Sequence, residues 1–342
     1  MAGCRSWFIL HGHARFLLAL LLLCAAALIL PYCVIRSDAL YCRHSTVFWD
    51  ATDCYKFGLT NQQARVVFVG DSSLTFGVRP TLLDATDHLS AYNLGLSAGA
   101  VLFSPGLLLD DYLAHNRRPR VIVLYVGPWT LVEGQPDIEH LWADGARVAI
   151  RHGTFADIRK VFWQDPRRLI QLPVIVLQQG VRQFSPSEKW WVWAYAEMQK
   201  ERGWADILRP RKPFTMLGPG QRPTLPEHCA MAAKPLAPPD RALIEQFRQA
   251  YQGHGSRVLV YVAPVPVCDP SYASIVRSYA GVSDNKPLTL PGPDFIDDGW
   301  RVHLTREGAA EATAQVAEFL RPYVAGRPGT LHAASPLRKR PS

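Results

Sequence analysis

The chain has 342 residues, 48% of them hydrophobic, which is enough to bury a sizeable core and a further lobe. Its formal net charge is +8, but the basic residues are scattered and no nucleic-acid-binding motif accompanies them. This argues against nucleic acid, and attraction to an anionic membrane surface or an anionic polymer accounts for the charge as well.

Phe16 to Ile35 is an almost unbroken apolar run, with Arg5 and Arg15 before it and Arg36 and Arg43 after it. At 1.5 Å per residue a helix of that length covers about 30 Å, the thickness of a bilayer's hydrocarbon core. The short basic N-terminus favours an uncleaved anchor with the body on the far side of the membrane. A cleaved signal peptide is the rival, but no Ala-x-Ala site closes the run. Residues 37–64 show little periodicity and read as a connecting segment.

Val66-Val67-Phe68-Val69 reads as a buried strand running straight into Gly70-Asp71-Ser72. A hydroxyl on a tight turn at the carboxyl end of a strand sits where α/β sheets place their chemistry. Gly70 would let the backbone turn and a substrate approach. Ser72 is therefore a candidate nucleophile, and Asp71 or Ser72 is equally suited to cap the helix that follows. A short helix follows near Pro80, and Ala91 to Gly99 is a second strand ending in small residues. Leu107 to His115 is expected to be a helix. Pro119 to Gly127 is the clearest buried strand and stops at Gly127-Pro128-Trp129. Strand alternating with helix predicts a parallel α/β sheet.

Residues 139–214 break that rhythm and read as a helical insertion, a candidate lid, carrying Trp142, Trp163, Trp190, Trp191, Trp193 and Trp204. Its indoles suit stacking on sugar rings or resting on a membrane surface, although packing on the sheet is expected for most of them. A proline-rich irregular stretch runs to Pro239, then a helix from Arg241 to Gln252 and a buried strand from Arg257 to Pro264. Thr305 to Val324 is an amphipathic helix with Thr305 as its N-cap. Residues 327–342 read as a solvated tail. Of seven cysteines, none has the spacing of a zinc site. For a body outside the cytoplasm, Cys42–Cys54 and Cys229–Cys268 are candidate disulfides; isolated buried thiols are the alternative. With no Gly-x-Gly-x-x-Gly, P-loop or HExxH, no metal or other cofactor is expected.

A serine hydroxyl needs a base within hydrogen-bond reach, and the base needs a group that fixes its tautomer. His303, just ahead of the last helix, is the candidate base, with Asp298 or Asp297 to orient it. Taken alone, His303 reads more readily as a helix-start residue bonding the backbone, and Asp297 and Asp298 as a solvated turn beside Gly299.

Together, Gly70-Asp71-Ser72 and His303-Leu304-Thr305-Arg306-Glu307-Gly308 resemble the first and last blocks of the SGNH, or GDSL-type, hydrolase superfamily. Gly77-Val78-Arg79-Pro80 is similar to the continuation found in its membrane-anchored cell-envelope members, often linked to O-acylation of exported polysaccharides. The resemblance covers Arg65 to Val324. It implies a flavodoxin-like three-layer α/β/α fold with a parallel sheet in a domain spanning residues 65–326, behind an anchor at 1–36. It implies Ser72 as nucleophile and His303 as base. It also implies a single-pass protein of the bacterial inner membrane whose body faces the periplasm or exterior.

Two blocks depart from that pattern. Trp129 stands where the superfamily places an oxyanion Asn, and Trp300, not Asp, lies three residues before His303. Oxyanion donors would then be the backbone N–H groups of Ser72, Gly95 and Gly99, with Asp71, Trp129 and Trp300 against the substrate. The expected activity is acyl-ester chemistry on an O-acylated glycan, as an esterase or an O-acetyltransferase. The alternatives are a catalytically degraded accessory protein that binds glycan or docks on a membrane acyltransferase, and an anchored receptor for a small ligand.

Overall fold

A computed structural model describes residues 3–38, 41–42, 48–103, 106–134, 139–163, 174, 190–206, 224–228, 231–253 and 255–324. In chain order the elements are α1 (Gly3–Arg36), α2 (Phe48–Lys56), β1 (Val66–Gly70), α3 (Ser72–Gly77), α4 (Pro80–Asp87), β2 (Ala91–Gly95), α5 (Ala98–Phe103), α6 (Leu107–His115) and β3 (Val121–Val126). They continue with α7 (Glu139–His152), α8 (Phe155–Trp163), α9 (Trp190–Lys200), α10 (Arg241–Tyr251), β4 (Arg257–Val262), β5 (Val265–Pro266), α11 (Tyr272–Tyr279), β6 (Thr289–Leu290) and α12 (Arg306–Val324). The expected tail lies outside the described residues.

The chain divides into two compact units. The unit holding the motifs comprises Leu59–Gly95, Tyr112–Gln135 and Glu201–Ser342. Its centre is a four-stranded, all-parallel sheet in the order β2-β1-β3-β4. Every residue of β1 and β3 is buried, as near-continuous Val/Ile/Leu runs require when both faces of a parallel sheet are covered. One face carries Val66, Phe68, Val123, Tyr125, Leu259 and Tyr261, packed against Val316, Leu320 and Val324 of α12. The arrangement is a mixed α/β unit consistent with three α/β/α layers. Thr305 caps α12 as expected, its Oγ1 accepting the Gly308 N–H at 3.1 Å.

The second unit comprises Met1–Gly58, Leu96–Asp111 and Pro136–Lys200. Two expectations are corrected here. Residues 37–64 are not merely a connector, because α2 is a buried helix of this unit and Cys42–Cys54 is a disulfide within it. Nor does the insertion reach residue 214 as one body, since Glu201 onward belongs to the sheet-bearing unit. The signal was missed because α2 is short and its buried face carries Asp50, Asp53 and Lys56, so hydrophobic periodicity is weak. Arg147 of α7 meets both Asp50 and Asp53, pairing these buried charges. Trp142 and Trp204 are core residues, each in its own unit, but Trp142 packs among helices with Tyr41, Ala146 and Ile150 rather than on the sheet as expected. The side chains of Trp163, Trp190, Trp191 and Trp193 lie outside the described residues.

The expected span from Phe16 to Ile35 is helical throughout, within α1. Among the described residues, however, no helix is long and apolar enough to cross a membrane.

Candidate active site

The first site residue is set by the end of β1. Val66 to Gly70 pair with β2 on one side and β3 on the other, in register to the last residue. The chain then enters α3, with Asp71 as N-cap. From Asp71 to Val78 every residue is buried except Ser72, so this turn offers one hydroxyl outward. Among the described residues no acceptor takes the Ser72 N–H, as befits the first residue of a helix.

His303 comes from a closed loop between β6 and α12. Ile296 N–H donates to the His303 carbonyl at 2.9 Å, Thr305 N–H to the Asp294 carbonyl at 2.9 Å, and Phe295 bridges Leu304 antiparallel. Phe295 and Leu304 sink into a core cluster with Trp204, Ala309 and Ala312, which fixes the base of the loop. Trp204 Nε1–H donates to the Phe76 carbonyl at 2.9 Å, tying that cluster to α3. Residues 231 positions apart thus converge: His303 Nε2 lies 2.8 Å from Ser72 Oγ. On the ring's other side Nδ1 meets Asp298 Oδ2. The His303 and Asp298 side chains are only 6% and 2% exposed, and the Phe76 ring stands edge-on to the imidazole at 5.1 Å. The open choice between carboxylates is resolved by geometry: Asp298 meets the ring, whereas Asp297 lines a cleft of about 380 Å³ with Leu225, Met231, Ala232 and Arg301.

Such an arrangement is chemically suited to activating a hydroxyl. A neutral imidazole accepting from Ser72 must donate from Nδ1, and a buried carboxylate there holds that tautomer.

Several other expected roles are corrected. Asp71 does not face a substrate: Oδ1 accepts from Ser73 N–H at 2.8 Å and Ser73 Oγ–H at 2.5 Å, and Oδ2 accepts from Gly127 N–H at 2.8 Å. It bolts the end of β1 to the end of β3. Gly70 is required for close packing, not for substrate approach, because a Cβ there would lie 1.7 Å from the Tyr125 carbonyl oxygen. The Gly95 N–H is engaged by Asn93 Oδ1 at 2.9 Å and so is not a waiting oxyanion donor. Gly99 sits in α5 of the helical unit, where a Cβ would meet the Leu141 carbonyl oxygen at 1.8 Å; tight packing explains this glycine.

Trp129 and Trp300 share one cation. Lys234 Nζ stands 5.0 Å from the Trp129 ring centroid and 5.7 Å from that of Trp300. Burial and the nearby Arg301 guanidinium lower the Lys234 ammonium's pKa from the ordinary lysine range, with Asp269 and Asp298 opposing them.

Sequence reasoning singled out the turn from Asn93 to Gly99 without giving Asn93 a role, and missed Lys234 and Asp269. Asn93 Nδ2–H donates to the Leu74 and Val78 carbonyls at 2.7 and 2.8 Å, closing the C-terminal end of α3. Only the Asn-x-Gly spacing hinted at it. Nothing in the proline-rich stretch marked Lys234. Cys268 is disulfide-bonded, and Cys229, its expected partner, lies outside the described residues. Among the described residues no His/Cys/Asp/Glu cluster could hold a metal.

Comparison with protein-family models, curated proteins and solved structures gave no match.

Proposed function

We propose that the protein performs acyl-ester chemistry, as an SGNH-like esterase or O-acyltransferase acting on an O-acylated envelope or exported glycan. The observation that carries this is Ser72 Oγ 2.8 Å from His303 Nε2, with Asp298 on the ring's far nitrogen. Ser72 Oγ attacks the acyl carbonyl while Nε2 takes the hydroxyl proton. The bond to the leaving alcohol breaks as His303 returns that proton to it, leaving an acyl-Ser72. Water or a sugar hydroxyl then attacks, its proton passing through His303 to Ser72. Water makes the protein an esterase; a sugar makes it a transferase. The strand order 2-1-3-4 supports the flavodoxin-like version of the fold.

Trp129, Trp300 and Lys234 offer ring faces and a charge suited to a glycan. The disulfides support an oxidising compartment outside the cytoplasm. Membrane attachment through α1 rests on Leu17, Leu18 and Leu20 to Leu23, each at least 45% exposed. Replacing Ser72 by Ala tests the chemistry. The parent hydrolyses p-nitrophenyl acetate and the Ser72→Ala variant does not; equal rates would refute the assignment.

A second reading has its own observation. With Trp129 in place of the Asn and the Gly95 N–H taken, the expected oxyanion donors lose Gly95 and, among the described residues, keep the Ser72 N–H. One such donor is worth about 2.7–4 kcal/mol in the transition state. A folded protein that no acyl ester turns over would be a glycan-binding or acyltransferase-docking accessory.

A further inference from the structure

Asp298 reaches His303 across five residues, so the acid sits on a long turn that must be held from outside. The turn is conformationally demanding. Asp298 Oδ1 accepts the Trp300 N–H at 2.9 Å, Gly299 has φ +79°, and Arg301 has φ +63°, a left-handed conformation that disfavours a residue with a Cβ.

Two cations grip the turn on either side of Trp300. Lys234 Nζ–H donates to the Gly299 carbonyl at 2.9 Å. Arg301 donates to the Ala232 carbonyl at 2.9 Å and to Asp269 Oδ2 at 3.3 Å. The anchors are themselves fixed. Asp269 has a fully buried side chain, and its Oδ1 accepts the Ser271 N–H at 2.8 Å. Ser271 Oγ accepts the Lys234 N–H at 3.0 Å. The segment from Ala232 to Lys234 is thus stapled to the segment from Asp269 to Ser271, and both hold the turn. Two neighbouring cations repel each other, and half-burying an ammonium costs solvation, so the placement needs a return.

We infer that Lys234 and Arg301 are positioning residues, clamping the turn from Gly299 to Arg301 so that Asp298 stays against the His303 ring. The inference deepens the proposed function and takes its catalytic meaning from it. The clamp explains why the acid can lie five residues before His303.

The test uses the full chain in detergent and two readouts. The first is the far-downfield proton resonance of an imidazole N–H bonded to a carboxylate. The second is the rate of covalent labelling by a fluorophosphonate. The parent shows the resonance, and Asp298→Asn removes it. Lys234→Met and Arg301→Gly, the latter a residue that accepts the positive φ, lose or weaken it and label roughly 10- to 100-fold more slowly. Lys234→Arg restores both in part. Folded Lys234→Met and Arg301→Gly proteins that keep the parental resonance overturn the clamp, whatever their labelling rate. So does a parent that lacks the resonance. A parent that shows the resonance but never labels speaks against the enzyme reading, while the resonance still decides the clamp.

Discussion

Ser72 is the one side chain that its turn leaves in reach of solvent, and the residues around it are spent on holding it. Asp71 shows what that costs to disturb. Replacing it by Ala strands the buried Ser73 and Gly127 N–H groups, each at about 1–3 kcal/mol. Asp71→Ala should therefore lower the melting midpoint sharply, and a midpoint within a degree or so of the parent would refute the bolt. Ser72 and His303 were singled out in the sequence, a hydroxyl after a strand and an imidazole before a helix cap, but only the resemblance of their two blocks to one superfamily paired them. The capping role of Asp71 was legible too; its bond to Gly127 and the bond of Lys234 to Gly299 were not, because each answers to a group far along the chain. No local pattern shows that Gly127 will present an N–H to Asp71, or that Gly299 will present a carbonyl to Lys234.

At the scale of elements, β1 and β3 were readable because strands buried on both faces need unbroken apolar runs. Their crowding was not readable. Gly70→Ala would push a Cβ to 1.7 Å from the Tyr125 carbonyl oxygen, whereas Gly134 has open space and only its φ of +56° to lose. Gly70→Ala should fail to give folded protein, while Gly134→Ala costs about 1–2 kcal/mol in a denaturant melt. The helical unit answers to pH. The His152 ring stacks on Phe57 with centroids 3.5 Å apart, and burial with Arg151, Arg147 and Arg36 holds its pKa well below the usual histidine value. A depressed histidine contributes stability above its unfolded pKa, about 6.5, and that stability is lost as pH falls toward the folded value. Asp53 acts in the opposite sense. Burial first, then Asp50, pushes it up to about 6 against the pull of Arg147, so this carboxyl's contribution is present at low pH and fades as pH rises through that value. His152→Gln should flatten the loss of stability on acidification from about pH 8 to pH 5, and Asp53→Asn should steepen it. Identical pH profiles for both variants and the parent would contradict the assignment.

For the whole molecule, the sequence exposed two regimes, a helical and an α/β one, but misplaced the line between them. Charged pairs such as Arg147 with Asp53 let polar helices be buried, and hydrophobic periodicity cannot see them. The proposed membrane attachment rests on the long helix Gly3–Arg36 and its exposed leucines. The full chain should stay in the pellet after alkaline carbonate washing and leave it in detergent. A chain that carbonate releases would be no integral membrane protein.

The central claim is that Ser72 is a nucleophile armed by His303, and its most direct test is peptide mapping after fluorophosphonate treatment. The account predicts one adduct per chain, carried on Ser72 and lost in His303→Ala. Folded protein that takes up no label, or takes it up at another residue while Ser72 stays bare, would contradict it.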